Sequence, residues 1–244
     1  MKPIEFVTAQ AKNGVYADLL SQAITGELVG MANYATLAGL YDDPAKQIDA
    51  VRHAASELGH SERFRRAARA IGVAPIVNPG AIRWKGLRDS FKRHAALGDV
   101  TACLIIQEIM LESFAVALYG ALGEVDEPEL AAVFRATAAD EEEHVSHALV
   151  ELRAAYAADP EGFEAKLEAL HDEVMHDLAL MMAGDDNGVH CELCHGSCVK
   201  QSLGEVGLDR AEMRGRAIQH YLRTLDELGV RGERSLAWVA RLPI

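Results

Sequence analysis

Proline is scarce in this chain, seven among 244 residues, and runs that alternate apolar with polar side chains are scarcer still. The second shortage argues against a sheet architecture, because a half-buried strand needs that alternation. The first leaves room for long uninterrupted helices, and alanine and leucine dominate, so the expected class is all-α. Basic residues are also short: 24 Lys and Arg stand against 37 Asp and Glu, a formal net charge of −13. Such a balance excludes nucleic acid and anionic membrane as expected partners, since both call for a positive surface. The opening stretch "MKPIEFVTAQAKNG" lacks an apolar signal core, and a cytoplasmic protein is expected. There are four cysteines, three of them inside "HCELCHGSC" (His190 to Cys198). In a reducing compartment that clustering favours metal or redox work over structural disulfides.

What is present is enough apolar material for a core, 50% of residues, in segments with helical period. Helices are expected over about residues 14–40, 44–72, 84–122 with a weak point near Gly98 and Asp99, 127–157, 160–183 and 208–229, and a short segment runs to Leu242. The breaks have local causes. "YDDPAK" offers an Asp cap before Pro44, "GEVDEPEL" and "AADPEGF" repeat the device around Pro128 and Pro160, and "VAPIVNPGAI" is a turn or loop. "TACLIIQEIMLESFAVALYGAL" is nearly long enough to cross a membrane, but it carries Gln107, Glu108 and Glu112 near its middle, which lipid penalises. It is expected inside protein, without stable membrane insertion. No linker divides the chain. Residues 1–244 are expected to form a single domain, a four-helix bundle core with further helices outside it and a Cys/His-rich loop over 184–200.

Four of the helices carry a carboxylate where an apolar residue belongs. At ~100° per residue, Leu130, Phe134, Ala138, Val145, Ala148 and Leu152 form one stripe, with Glu141 at its centre and His144 at its edge; Glu142 and Glu143 point away. "AVRHAASELGHSERFRRAARAIG" places Glu57 and His60 in the same way among Ala50, Ala54, Phe64, Ala68 and Ile71. Glu27 sits among Leu20, Ile24, Met31 and Ala38, and Glu112 among Ile105, Ile109 and Val116. The order is Glu, Glu-x-x-His, Glu, Glu-x-x-His, with intervals of 30 residues from Glu27 to Glu57 and 29 from Glu112 to Glu141. Buried carboxylates need partners or metals. A two-metal site inside a bundle needs this arrangement, each metal taking one histidine and one terminal carboxylate while the others bridge. Three more Glu-x-x-His pairs, Glu168/His171, Glu173/His176 and Glu192/His195, lack a paired glutamate helix in the repeat order and are expected to stand outside the site. Glu108, one turn from Glu112, is expected beside the ligands. Asp140 is placed to orient a ligand histidine or to be plain surface charge, and Tyr34, Tyr119 and Gln107 are core residues or polar groups at the site.

These residues resemble the cyanobacterial-type aldehyde-deformylating oxygenases, also called fatty aldehyde decarbonylases, of the ferritin-like superfamily. The resemblance lies in "VTACLIIQEIMLESFAVALYG", "GELVGMANYATLAGL", "ELGHSERF", "DEEEHVSH" and the terminal "GLDRAEMRGRAIQHYLRTLDELGV". It implies a ferritin-like di-metal domain in which Glu27, Glu57, His60, Glu112, Glu141 and His144 bind two iron ions, with manganese as the alternative metal. It implies that Tyr34 accompanies Glu27, and that Gln107, Tyr119 and Asp140 form polar surroundings. The implied reaction is the O2-dependent conversion of a long-chain aldehyde into an alkane one carbon shorter plus formate, with electrons from an external donor such as ferredoxin. Ala68, Glu108 and the Cys loop depart from the family pattern. Related readings are a di-metal oxidase or N-oxygenase with another substrate, a rubrerythrin-like peroxidase using the Cys loop for electrons, and a non-catalytic iron-handling bundle; fold analogy does not choose among them. A long apolar tunnel ending at Glu27 and Glu112 would favour the aldehyde, and a small polar pocket the second reading.

"HCELCHGSC" supplies Cys191, Cys194, His195 and Cys198, preceded by His190. Three thiolates and an imidazole suit a structural zinc ion, which is the expectation. An iron–sulfur cluster or haem, or a redox-sensitive loop without metal, are the other readings.

Overall fold

The computed structural model describes residues 3–182, 192–195 and 198–243, with side chains from residue 11 onward. Helix α1 (Pro3–Ala38) and α2 (Pro44–Ala70) form the first pair. After a loop, α3 (Ile82–Ala96) leads to a second long rod built from α4 (Val100–Leu104), a π-helical segment (Ile105–Glu112) and α5 (Ser113–Leu122). Its partner is α6 (Pro128–Ala158). A fifth rod combines α7 (Pro160–Leu170), a π turn (His171–Met175) and α8 (His176–Met182). Then come α9 (Val199–Ser202), a 3-10 turn (Leu203–Val206), α10 (Arg210–Leu228) and α11 (Gly232–Val239). The described residues contain no strand.

The boundaries follow the punctuation of the sequence. Asp43, Asp99, Asp159 and Asp209 each turn a side-chain oxygen onto a backbone N–H of the first helical turn, worth ~1 kcal/mol apiece. Pro44, Pro128 and Pro160 sit at first positions, where the missing N–H costs nothing. Gly98 adopts φ 69° and ends α3, a conformation that other residues adopt with strain. Two expectations needed correction. Helix α1 begins at Pro3, well before residue 14, and the weak point at Gly98 and Asp99 is a true break between two helices.

Helices α1, α2, the α4–α5 rod and α6 are the bundle, and two apolar clusters fill it at different levels. On α1 one cluster takes Leu20 and Ile24 and the other Tyr34 and Leu37, leaving Glu27 between them. Ala50 and Phe64 bracket Glu57 and His60 on α2; Ile109 and Tyr119 bracket Glu112; Phe134 and Val145 bracket Glu141 on α6. The carboxylates therefore form a polar layer sandwiched by hydrocarbon. Val100–Leu122 has mean hydropathy 1.7 and would pass for a membrane span by length and composition, but 78% of it is buried within the protein. It is the core helix of the bundle.

Candidate metal centre

The polar layer gathers four glutamates and two histidines, each from 0% to 6% exposed. His60 Nδ1 lies 3.0 Å from Glu27 Oε2 and 2.8 Å from Glu141 Oε1. His144 Nδ1 lies 3.2 Å from Glu57 Oε1 and 3.0 Å from Glu141 Oε2. Ligand atoms of Glu27, Glu57, His60 and Glu141 all fall within 4.8 Å of one another, and so do those of Glu57, Glu112, Glu141 and His144. Glu57 and Glu141 belong to both groups, and Glu27 and Glu112 to one each. Of the four carboxylates, then, the two in Glu-x-x-His are the ones placed to bridge.

The contacts are short, yet Glu57 Oε1, both oxygens of Glu141 and His144 Nδ1 accept or donate no well-directed hydrogen bond. Proximity without alignment is what a ligand set shows when its atoms face a common point. These four buried atoms, together with the N/O donor set, fit two first-row metal ions. Electrostatics points the same way. Burial, reinforced by the Glu141 carboxylate, raises Glu27 and lifts Glu57 and Glu112 well above the usual carboxylate range. Burial also pushes Glu141 upward, but the close His144 and His60 rings outweigh it and hold it low. His60 loses from burial but gains more from Glu141 and Glu27, ending at about 10. Without cations, the layer copes with its charge by keeping protons.

Around the six, each polar neighbour has a definable task. Tyr119 OH donates to Glu27, and Tyr34 OH donates to Glu112 Oε1 at 3.3 Å. The tyrosines are therefore crossed, and Tyr34 does not accompany Glu27 on its own helix. Seven residues are ~10 Å along a helix, too far for contact. The antiparallel α5 brings Glu112 beside Tyr34 and Tyr119 beside Glu27. Gln107 Nε2 donates to Glu112 Oε1 at 2.6 Å, and Asn33 Nδ2 donates to Gln107 Oε1 at 2.7 Å. The π-helical turn makes this possible, since its wider turn, with i→i+5 bonding, brings residues five apart into register. Asp140 Oδ2 meets His60 Nε2 at 3.2 Å and accepts from Arg63 Nη2 at 2.6 Å, which leaves Nδ1 to face the carboxylates. Gly30 faces the layer too: a Cβ there would stand 3.1 Å from Glu57 Oε2.

Sequence reasoning missed His53. Its ring stacks on His144 at 4.5 Å, and burial, with His144 and His147, pushes it down to about 4. The signal was available, because His53 precedes His60 by two helical turns on the same face. Glu108 lies beside the ligands as expected, and burial raises it to about 8. The other Glu-x-x-His pairs stand apart. His171 is buried between Tyr221 OH and the Trp238 carbonyl, both at 3.0 Å, and Glu173 accepts from Ser90 and Arg93.

Two openings reach the layer. An apolar channel of about 110 Å³ runs between α1 and α5 to Glu27, Glu57 and Glu112, past Leu19, Leu118, Leu178 and Met213. A polar cavity of about 580 Å³ opens between α2 and α6 and reaches His144.

Of the Cys-loop residues, Cys191 and His190 lie outside the described residues. Cys198 is buried ahead of α9, and Cys194 packs against the apolar cluster around Val199 and Leu203. His195 places its Nδ1 2.7 Å from Oδ1 of the buried Asp18, an oxygen that also accepts from the His195 backbone.

The family model for long-chain fatty aldehyde decarbonylases matches residues 9–189. That span contains all six candidate ligands and ends just before His190 and the three clustered cysteines. A solved structure, a Synechococcus protein described as having aldehyde deformylating oxidase activity, aligns with a TM-score of 0.78 at 21% identity, over 96% of each chain. At that identity the likeness is one of fold, and it extends through the C-terminal helices.

Proposed function

Because the chain belongs to the long-chain fatty aldehyde decarbonylase family, we propose that it converts a long-chain aldehyde and O2 into an alkane one carbon shorter plus formate, at a centre of two iron ions. The observation that carries this reading is the meeting of a buried four-carboxylate, two-histidine layer with a narrow apolar channel that ends at Glu27 and Glu112. Glu27, Glu57, His60, Glu112, Glu141 and His144 would hold the two ions, with Glu57 and Glu141 in reach of both ligand groups. Iron at this centre supplies O2 activation, with electrons drawn from an external donor such as ferredoxin.

The chain's own residues do the rest. The channel strips water from an unbranched hydrocarbon tail, worth ~0.8 kcal/mol per methylene, and leaves the aldehyde group as the one polar end beside the carboxylates. Tyr119 and Tyr34 hold Glu27 and Glu112 in place by donating to them, and Gln107 fixes Glu112 a second time. Asp140 sets which ring nitrogen of His60 faces inward. The apolar clusters above and below, with the hydrocarbon walls of the channel, keep water from the side of the layer that the aldehyde reaches, which limits side reactions.

For the Cys loop we propose a structural zinc bound by Cys191, Cys194, His195 and Cys198. Supporting it is the Asp18–His195 contact, which leaves Nε2 of that ring for a ligand role, in the manner of carboxylate–histidine–zinc sites. The segment after the loop, through Val199, Lys200 and Leu203, borders the apolar channel, so the loop's order bears on substrate entry.

The test is anaerobic loading with ferrous ion, reduction, and exposure to O2 with a panel of aldehydes, amines and peroxide. Alkane and formate in equal amounts from long aldehydes support the reading. Turnover of amines or peroxide with no alkane would replace it with the oxidase, N-oxygenase or peroxidase alternatives.

A further inference from the structure

The polar cavity between α2 and α6 is not used by the reading above. Its wall carries five carboxylates, Asp49, Glu108, Asp140, Glu143 and Glu151, against Lys46 and Arg52. Both cations are already paired, Lys46 with Glu151 at 2.8 Å and Arg52 with Asp49 at 3.0 Å. An anionic product would be repelled there. A cation is drawn in.

Through this cavity runs a column of stacked imidazoles. His147 lies 6.1 Å from His53 with rings 12° apart; His53 lies 4.5 Å from His144; His144 lies 6.0 Å from His60. Side-chain exposure falls along it from 63% to 18%, 8% and 0%, so it leads from the surface to the centre. Each ring has a carboxylate within reach: Glu143 at 3.9 Å from His147, Glu108 at 3.9 Å from His53, and Glu57 at 3.2 Å from His144. Glu108 is the telling member. It lines the cavity at 1% exposure, and its Oε2 finds no hydrogen-bond partner among the described residues. An unpaired buried carboxylate oxygen is costly, and a passing dication is a partner that it lacks.

We propose that this cavity is the entry route for the divalent ions of the centre, and that Glu143–His147 and Glu108–His53 are successive transfer sites that hand an aquated ion to Glu57 and His144. The inference rests on the ligand assignment proposed above. Each outer pair offers one carboxylate oxygen and one imidazole nitrogen, the donors that first-row divalent ions accept. Two protein donors pass an ion on, whereas the inner sets retain it. Water leaves as each donor binds and no electron moves.

Stopped-flow uptake of Co2+ by the metal-free full-length chain, followed by metal analysis at equilibrium, tests the route. Glu108→Gln and Glu143→Gln should each slow uptake about tenfold, within the range of electrostatic steering, while binding as many ions as wild type. Glu233→Gln, the same charge change on the exposed face of α11, should leave the rate alone, as should Ala115→Phe, which narrows the apolar channel. Unchanged rates in the two cavity variants, with two ions bound, overturn the route and leave the ligand assignment standing. Fewer ions in Glu108→Gln would make Glu108 a permanent ligand and also overturn it. A wild-type chain that takes up no ion overturns the ligand assignment, and the route with it. Unchanged uptake with slowed turnover of preloaded enzyme would make the column a proton path instead.

Discussion

Glu-x-x-His occurs on α2 and α6 and again along the rod from α7 to α8, and the same spacing does opposite things in the two regions. On α2 and α6 the pairs Glu57/His60 and Glu141/His144 are buried and converge with Glu27 and Glu112. Along α7 and α8 the partners are different. Glu168 meets Arg234 and Arg241, Glu173 meets Arg93 and Ser90, and His171 is consumed by Tyr221 and Trp238. His176 is exposed. The motif alone is a local fact about one helix. What decides its use is the neighbour's face: acids opposite acids need cations from outside, and acids opposite arginines have them already.

The largest effect that could break this contrast is on metal content. Glu57→Ala or Glu141→Ala removes a carboxylate shared by both ligand groups, so both ions should be lost, from about two per chain toward none. Glu142→Ala, one residue from Glu141 but on the solvent side, should keep them. Metal analysis of the purified variants decides it, and equal loss in Glu141→Ala and Glu142→Ala would return the "EEEH" run to surface charge.

In the second region the expected loss is of stability. His171→Ala leaves a buried tyrosine hydroxyl and a buried carbonyl without partners, at a cost of about 3 kcal/mol. Metal content should stay at the wild-type value. His176→Ala, on an exposed face, should change stability by less than about 0.5 kcal/mol. Denaturant titration beside metal analysis measures both, and a metal ion lost from His171→Ala with stability intact would erase the distinction.

How far the sequence carried this contrast depends on which signals are local. The six candidate ligands were legible because a charged residue on an apolar stripe is anomalous by phase alone, and four such anomalies in a fixed order leave few alternatives. The helix ends were legible from Asp–Pro pairs. Which carboxylates fall in both candidate groups was not, because that depends on how α2 and α6 face each other across the layer. Nor was the crossing of the tyrosines, since counting seven residues along one helix says nothing of an antiparallel neighbour. The π-helical turn at Ile105–Glu112 was hidden for a further reason. It shifts the phase on which stripe reading relies, and it brings Gln107, Glu108 and Glu112 inward together.

The crossing gives a sharper, smaller prediction. Tyr119→Phe removes the donor to Glu27, and Tyr34→Phe the donor to Glu112. Each should weaken one ion about tenfold, as loss of a hydrogen bond to a ligand does. Competitive chelation of Co2+-loaded protein, read by its absorbance, should show two different single-site losses. Matching losses at one common site would undo the crossed assignment.

The smallest effect sets Glu108 against Glu173, two glutamates whose neighbours differ. Burial raises Glu108 from 4.5 to about 8, and no cation offsets it. Burial pushes Glu173 upward too, but Ser90, His94 and Arg93 outweigh it and hold it below 4.5. The linkage signs are therefore opposite. In the metal-free chain, the Glu108 contribution is intact below about pH 4.5 and is lost as pH rises through about 8, where a buried site must accept a charge. The Glu173 contribution is present above about pH 4.5 and is lost as pH falls below its lowered value. Glu108→Gln, which resembles the neutral acid, should raise the melting temperature of the metal-free protein near pH 9 and leave it nearly unchanged near pH 5. Glu173→Gln should lower it near pH 7, and the deficit should shrink toward pH 4. Thermal melts across that range decide the matter: a gain in Glu108→Gln that does not grow with pH would mean that the charge on Glu108 is already compensated, and that the two acids live in the same kind of surroundings after all.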